Sequence, residues 1–570
     1  MWQQNYEPVG GSLGLSASVA AIPVLVLFFM LGVMRKPAWL AALTALLAAF
    51  VLALAAYHMP ISLAVMSTLD GAAYGFFPIS WICFASILLY RLAVETGKFE
   101  IIKDSIGNLT NDRRLQALFI AFSFGAFIEG AAGFGAPVAV SGALLVGLGF
   151  DPFYAAGICL LANTAPVAFG SIGIPVITLA GITGLPLLPL TAMVGRLVAM
   201  MSVFIPGYLL LVMVGWQKTM EVLPAVIVCG FSFAGVQYYV SNFMGPELSD
   251  ILSALSCIVC TALALKFWKP KTVFRLEGDN PATLQLHAYS SRQILGAWLP
   301  YLLLVTFVLV WGYVPFKLKL DQFSHSLIPS FLPVAPLPTG VAAKSADLNG
   351  LMIPGLHKLV LRIPPVTKSP APYPAVYAFN WLSGSGTACF LAAIAAAVAL
   401  GVSPRRFWGI YKATWAQLAK SILTIATMLG LAYLMNFSGM TSTLGLALAA
   451  TGRSFPFFSS ILGWLGVFLT GSDTASNALF GNLQVVTANQ IGINPILTAA
   501  VNSAGGVMGK MVSLASIAVA CASTGLTTRD EGKLFRFTIK HSIFWACVVG
   551  VLALFFAYIF PQGVPALSVK

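Results

Sequence analysis

A helix that crosses a bilayer needs about 20 consecutive apolar residues to span a ~30 Å hydrocarbon layer. This chain is assembled largely from such runs. They lie near residues 15–34, 37–58, 74–94, 187–215, 222–241, 250–268, 294–315, 386–402, 421–435 and 541–561. Two longer apolar tracts, 116–181 and 455–525, are broken by Gly and are too long for single helices. Of the 570 residues 59% are hydrophobic and 9% charged, whereas about a quarter of a soluble domain is charged. So apolar a chain cannot clothe itself for water. The expectation is an all-α polytopic membrane protein with about 12–14 transmembrane helices and two interrupted or re-entrant repeat elements.

The cations set an orientation. Arg35 and Lys36 close the first run, while residues 1–14 hold no Lys or Arg. The positive-inside rule therefore places the N-terminus outside. Arg529, Lys533, Arg536 and Lys540 precede the last run, which places that loop in the cytoplasm and the C-terminus outside. The first run has no basic residue before it and no convincing cleavage site after it, so it reads as a retained span. A formal charge of +13 scattered between spans suits acidic lipid headgroups, not nucleic acid.

The expected divisions are 1–115 (N-terminal helices and a surface segment), 116–181 (first repeat), 182–315 (central helices), 316–378 (Pro-rich loop), 379–454 (helices), 455–525 (second repeat) and 526–570 (cytoplasmic loop and last helix). The polar segment 98–115 reads as a short surface helix and turn, and 269–292 as a solvated loop. Residues 316–378 resist regular helix through their Pro content. GPELSD (245–250) reads as a turn at the membrane surface, and Asp70 and His58 as interfacial residues.

The two long tracts align with one another. GAFIEGAAGFGAP (125–137) matches GVFLTGSDTASNA (466–478), GFDP (149–152) matches GINP (492–495), and NTAPVAFG (163–170) matches NSAGGVMG (502–509). Matches in this order point to a duplication, the architecture of many secondary transporters, whose substrate site lies between the repeats. Gly130, Gly133, Gly135 and Pro137 make continuous helix unfavourable beside Glu129. Irregular backbone at membrane depth is tolerated where it is packed in protein or lines a watery hollow. Its freed amides and half-helix N-termini can bind an anion. Ser472, Asp473, Thr474 and Asn477 repeat this logic in the second tract, with side-chain hydrogen-bonding groups added.

Few ionisable groups lie deep in the tracts: Glu129, Arg196, Asp473 and Lys510. A charge at the bilayer centre costs about 2.5–3.5 kcal/mol on insertion scales. Internal ion pairs, Glu129 with Arg196 or Asp473 with Lys510, are one explanation. Substrate binding is the other, favoured because three of the four fall in the duplicated tracts. Arg196 offers a planar fork for a carboxylate and Lys510 a point charge. Glu129 or Asp473, surrounded by apolar groups, can take up a proton, making the transported unit electroneutral with a monocarboxylate. Coordination of Na⁺ by Asp473, hydroxyls and carbonyls competes with that assignment. Asn163 and Asn502, at matching positions, are candidate polar contacts or helix–helix hydrogen bonds.

An enzyme is disfavoured. The five His lie singly, and neither HExxH nor GxSxG occurs. Cys257 and Cys260 form a CxxC without further ligands, and the eight Cys read as packing residues. No catalytic residue, metal or cofactor is indicated.

These segments resemble the lactate permease family over nearly the whole chain. The resemblance rests on WQQNYEPVGG (2–11), EGAAGFGAPVAV (129–140), LLVGLGFDPFYAAGICLLANTAPVAFG (144–170), SNFMGPELSDI (241–251), GWLGVFLTGSDTASNALF (463–480) and LFRFTIKHS (534–542). It implies uptake of L-lactate, and often of D-lactate and glycolate, by proton symport across a bacterial inner membrane. One stretch departs: GGVMGKMVSLASIAVACA (505–522) has Met508, Leu514 and Ala515 where the family usually has Thr, Pro and Gln. The expected consequences are a lost polar contact, a lost helix break and altered selectivity among small monocarboxylates.

Overall fold

The computed structural model describes residues 1–133, 135–275, 286–327, 334–336, 349–527 and 529–567. Among the described residues, ten helices are long and apolar enough to cross a membrane, and two bent helix pairs raise the number to 12. The chain is a multi-pass membrane protein. Its outward faces carry exposed apolar side chains such as Leu47, Val51, Phe204, Ile227, Val259 and Leu295, which lipid solvates and water would not.

The N-terminal part holds α1 (Leu13–Phe28), α2 (Ala38–Ala55), α3 (Ile61–Tyr74), α4 (Ser80–Glu95) and α5 (Lys98–Gly107). The first Gly-broken tract holds α6 (Arg113–Gln116), a π-helical stretch (Ala117–Phe124), α7 (Gly125–Ala131), α8 (Ala136–Gly147), α9 (Pro152–Ala162) and α10 (Gly170–Thr183). Central helices are α11 (Leu187–Met220), α12 (Leu223–Phe243), α13 (Ser249–Phe267), α14 (Ser291–Gly312) and α15 (Val314–Ser326). Then come α16 (Ser385–Ala399), α17 (Pro404–Ser438) and α18 (Met440–Ala449). The second broken tract holds α19 (Phe455–Thr470), α20 (Asp473–Ile491), α21 (Pro495–Gly509) and α22 (Leu514–Thr524), and α23 (Glu531–Leu554) closes the bundle.

The two broken tracts share one local grammar. Gly149 (φ 103°) and Gly492 (φ 74°) follow the second helix of each in left-handed conformation, the geometry that Gly adopts without a Cβ clash. Asp151 and Asn494 then cap the next helix with side-chain oxygens that accept from first-turn amides, and Pro152 and Pro495 follow at the first helical position. Each tract next bends, by 64° between Pro152–Ala162 and Val167–Thr183 and by 43° between Pro495–Val512 and α22. The last helix of each tract packs on the helix after the first break of the other: α10 on α20, and α22 on α8. Such reciprocal packing characterises units related by two-fold symmetry.

Segment 316–378 differs from the expectation of a helix-free loop. α15 runs through it to Ser326, and short strands follow: β2 (Val334–Pro336), β3 (Asn349–Met352), β4 (Val360–Arg362), β5 (Ala371–Pro372) and β6 (Val376–Tyr377). An N-terminal strand β1 (Trp2–Gln3) pairs parallel with β4, giving sheets of order β1-β4-β5 and β2-β3-β6. Residues 328–333 and 337–348 of this segment, and 276–285 of the polar loop, lie outside the described residues. The α20–α21 turn ties both termini to one end of the bundle. Gln490 donates to the Pro365 carbonyl at 2.5 Å beside the strand cap, and Asn494 donates to the Pro565 carbonyl at 3.0 Å in the C-terminal tail.

The opposite end is locked by charge. Segment 98–115 is less superficial than expected, because Asp112 and Arg114 are buried. Arg114 pairs with Asp112 at 2.7 Å and with Glu221 at 2.6 Å, and also donates to the Lys218 and Thr272 carbonyls at 3.1 Å. Hydrogen bonds from Lys218 and Arg114 hold the Glu221 carboxyl below the usual carboxylate range. Its contribution to stability is therefore present above the ordinary Glu value and lost as pH falls through the lowered one. Arg114→Ala strands the buried Asp112 charge and is expected to cost ~3–5 kcal/mol. The expected readout is a lower unfolding midpoint in detergent, with Arg114→Lys intermediate because it keeps charge without the fork; an unchanged midpoint for Arg114→Ala would refute the lock.

Candidate functional site

The helix breaks surround a cavity of about 320 Å³. On the first-tract side, α7 ends at Ala131, and Gly133 (φ 62°) and Gly135 (φ 84°) turn the chain into α8 along the cavity wall. Glu129, in the last turn of α7, faces the cavity while only 4% exposed, and its Oε2 has no hydrogen-bond partner. Gly170 leaves room for its carboxylate: a Cβ there would lie 2.5 Å from Glu129 Oε1 and would push it aside. Ser171 and Ile172 adopt left-handed conformations (φ 49° and 61°), unfavourable for a β-branched residue. The Ser171 hydroxyl, at the cavity wall, donates to the Ala132 carbonyl at 2.9 Å and so bridges the two breaks of this tract.

On the second-tract side, Gly471 (φ 73°) ends α19, and the Ser472 side chain caps α20. Asp473 is the first residue of α20 and is 2% exposed. Its Oδ2 accepts from Ser503 at 2.5 Å and Asn477 at 3.2 Å, while Oδ1 is unpartnered. Behind it runs a buried amide chain in which Asn502 donates to Asn477 at 2.9 Å and Gln484 to Asn502 at 3.0 Å. Lys510, at the break between α21 and α22, donates to the Gly471 carbonyl at 2.7 Å. That bond satisfies backbone freed at the end of α19 and holds the ammonium beside the cavity.

Among the described residues the wall thus carries one ammonium, two nearly dry carboxylates, the N-cap Gly135 of α8 and first-turn residues of α20 and α22. Helix N-termini and Lys510 favour an anion, whereas charged Glu129 and Asp473 repel one. An anion would be accommodated better with one of those acids neutral than with both charged.

Of the sequence-predicted residues, Glu129, Gly133, Gly135, Ser472, Asp473, Thr474 and Lys510 meet at this cavity. Asn477 lies behind the wall, hydrogen-bonded to Asp473. Asn163 is buried beside Glu129, and neither of its amide atoms forms a well-aligned hydrogen bond. Gly130 serves close packing, since a Cβ there would lie 2.8 Å from that of Asp250. Arg196 stands apart: its guanidinium donates to the Asn242 side chain at 2.9 Å and the Gly563 carbonyl at 2.5 Å, clamping the C-terminal tail. Neither ion pair weighed for these groups forms among the described residues, because Arg196 and Lys510 hydrogen-bond to carbonyls and an amide instead.

The departures from the family pattern also resolve. Ala515 lines the cavity, whereas Met508 is buried in α21. The expected loss of a helix break at Leu514 does not occur. Ser513 is extended (φ −64°, ψ 136°), and its side chain caps α22 from Ser516 N, so Leu514 starts the helix where Pro would be tolerated but is not needed. Sequence reasoning missed Asp250. Read as part of a surface turn, it is 1% exposed at the start of α13, behind Glu129. Asp70, read as interfacial, is buried on α3. Among the described residues no three His, Cys, Asp or Glu side chains group closely enough to hold a metal ion.

The pattern of one family, described as L-lactate permease, matches residues 16–560. An L-lactate permease of Bacillus subtilis (strain 168) is 47% identical over 99% of this chain and 100% of its own. The glycolate permease GlcA of Escherichia coli (strain K12) is 46% identical over 98% of each chain. An L-lactate permease of Salmonella typhimurium is 45% identical over 99% of this chain and 100% of its own.

Two sets of variants test the geometry. Gly170→Ala and Gly506→Ala each place a Cβ 2.5 Å from a cavity carboxylate oxygen, of Glu129 and Asp473 respectively. Both are expected to reach the membrane yet lose transport, and wild-type transport by either would refute the packing argument. Arg196→Lys is expected to leave the substrate half-saturation constant unchanged and to loosen the C-terminal tail to protease; a raised constant would return Arg196 to the site.

Proposed function

The chain belongs to the L-lactate permease family, and on that premise we propose that it takes up L-lactate, with D-lactate and glycolate as further substrates, by symport with a proton across a bacterial inner membrane. Its relatives are permeases rather than enzymes. The observation that carries the proposal is the convergence of Glu129, Asp473 and Lys510 on one cavity from two broken-helix tracts. Its volume of about 320 Å³ suits a small ligand with some water.

Coupling follows from charge. With both acids ionised, the lone ammonium is outweighed and a substrate carboxylate is repelled. A proton gained by Glu129 or Asp473 removes that repulsion, so anion and proton each favour the other's binding, as linkage requires. Lys510, Ser472 and Thr474 supply donors for the substrate carboxylate, with Gly133 and Gly135 allowing close backbone approach. The tracts 116–181 and 455–525 act as duplicated halves around this site, supported by their shared order of breaks and caps. Both termini lie outside, supported by their common end of the bundle and by the cations of the other end.

Labelled L-lactate uptake into proteoliposomes tests the reading, with imposed pH or Na⁺ gradients and with glycolate, D-lactate and pyruvate as competitors. An acid-outside gradient is expected to drive accumulation and a Na⁺ gradient to leave it unchanged. The converse result would assign Asp473 to a Na⁺ site. Glu129→Gln is expected to abolish lactate-driven alkalinisation of the medium; normal alkalinisation would remove it from coupling. Ala515→Gln restores an amide to the cavity wall and is expected to shift the preference for lactate over pyruvate about fivefold, the worth of one net hydrogen bond of ~1 kcal/mol. An unchanged ratio would show that this position does not select substrate.

A further inference from the structure

Glu129 has a second acid behind it. Neither carboxylate oxygen of Asp250 reaches a hydrogen-bond partner, although the residue is 1% exposed. A capping role would set one oxygen on a first-turn amide of α13, and neither oxygen makes that bond. α13 packs on α7 at Gly130, which brings the charges of Asp250 and Glu129 within influence of one another. Asn163 lies beside Glu129 with neither amide atom in a well-aligned hydrogen bond. Gln237 of α12 faces Asp250, with its own Nε2 on the Ala165 carbonyl at 3.2 Å.

Glu247 lies three residues before Asp250 on the approach to α13, and α4 and α9, which pack on α7, add the buried thiols Cys83 and Cys159. Lys510 acts on Glu129 from the cavity side. The π-helical stretch Ala117–Phe124 and α10, which also pack on α13, hold no titratable side chain. α12 adds Cys229, which lies against Cys257 along α13, and the outward-facing Tyr238 and Tyr239. Glu129 lines the cavity and Asp250, packed against the adjacent Gly130, does not.

Two neighbouring carboxylates kept from water each raise the other's affinity for a proton, so one proton on the pair is favoured over two charges. Resting on the proton-symport reading above, we propose that Asp250 is a second proton-carrying carboxylate, sharing with Glu129 the one proton that moves with the substrate. Loading forms one O–H bond on the pair, with the proton drawn from cavity water, and release breaks that bond on the other side of the membrane. No electrons change hands. Asp250 supplies the neighbouring negative charge that favours the proton on the pair, and Glu129 supplies the cavity-facing end through which it exchanges.

The test compares reconstituted full-length wild type, Asp250→Asn and Asp250→Glu in two assays: lactate counterflow, which needs no net proton movement, and net uptake as a function of pH. Asp250→Asn is expected to retain counterflow while its net-uptake profile moves to the acidic side by about one pH unit or more, as loss of a like-charged neighbour requires. Asp250→Glu is expected to restore the wild-type profile. An undisplaced Asp250→Asn profile, or an equal loss of counterflow and net uptake at every pH, overturns the proposal. If Asp250→Asn does not insert, the substrate-induced infrared difference spectrum of Asp250→Glu decides. A carboxylic-acid band displaced from its wild-type position supports the proposal, and an unmoved band overturns it. Wild-type uptake indifferent to pH gradients overturns the symport reading and this proposal together, whereas wild-type coupling with an undisplaced Asp250→Asn profile overturns this one alone.

Discussion

Backbone amides and carbonyls inside a bilayer must be satisfied within the protein, and the helix breaks of this molecule answer that constraint. A helix may stop at membrane depth where side chains, neighbouring helices or a polar hollow replace the lost ladder. Here Lys510 takes the Gly471 carbonyl, Ser171 takes that of Ala132, and the Ser472 and Ser513 side chains cap the restarting helices. The groups that repair the breaks also furnish the cavity wall. Structure and chemistry are one arrangement.

Glycine makes that arrangement possible. Gly133, Gly135 and Gly471 supply left-handed turns, while Gly170 and Gly506 leave room for the two carboxylates. The exchange of α10 and α22 between the tracts means that neither half closes the cavity alone. A shift of one tract against the other would move Glu129 relative to Asp473 and Lys510 and so would change the site's affinity for its occupant.

The sequence made one part of this legible. Glu129, Gly133, Gly135, Ser472–Thr474 and Lys510 betray themselves because charge, hydroxyls and helix breakers adjoin one another inside otherwise apolar tracts. Arg196 shows where such reading stops. A buried guanidinium looks the same in a sequence whether it holds a substrate or a backbone, and its carbonyl partner Gly563 lies 367 residues away. Asp250 was hidden for a related reason. An acid at the start of an apolar run resembles a surface residue, and its depth becomes visible only when α7, ending early beside it, brings up Glu129. The missing Pro at position 514 misled in the other direction, because a Ser cap ends and restarts a helix as well.

Symport requires that a monocarboxylate and a proton occupy this site together. Calorimetric titration of the purified protein with L-lactate, in buffers of different ionisation heat, reads the number of protons taken up on binding. Uptake of about one proton per lactate near neutral pH is expected, as linkage between the two ligands demands. Binding heats that are independent of the buffer would contradict it.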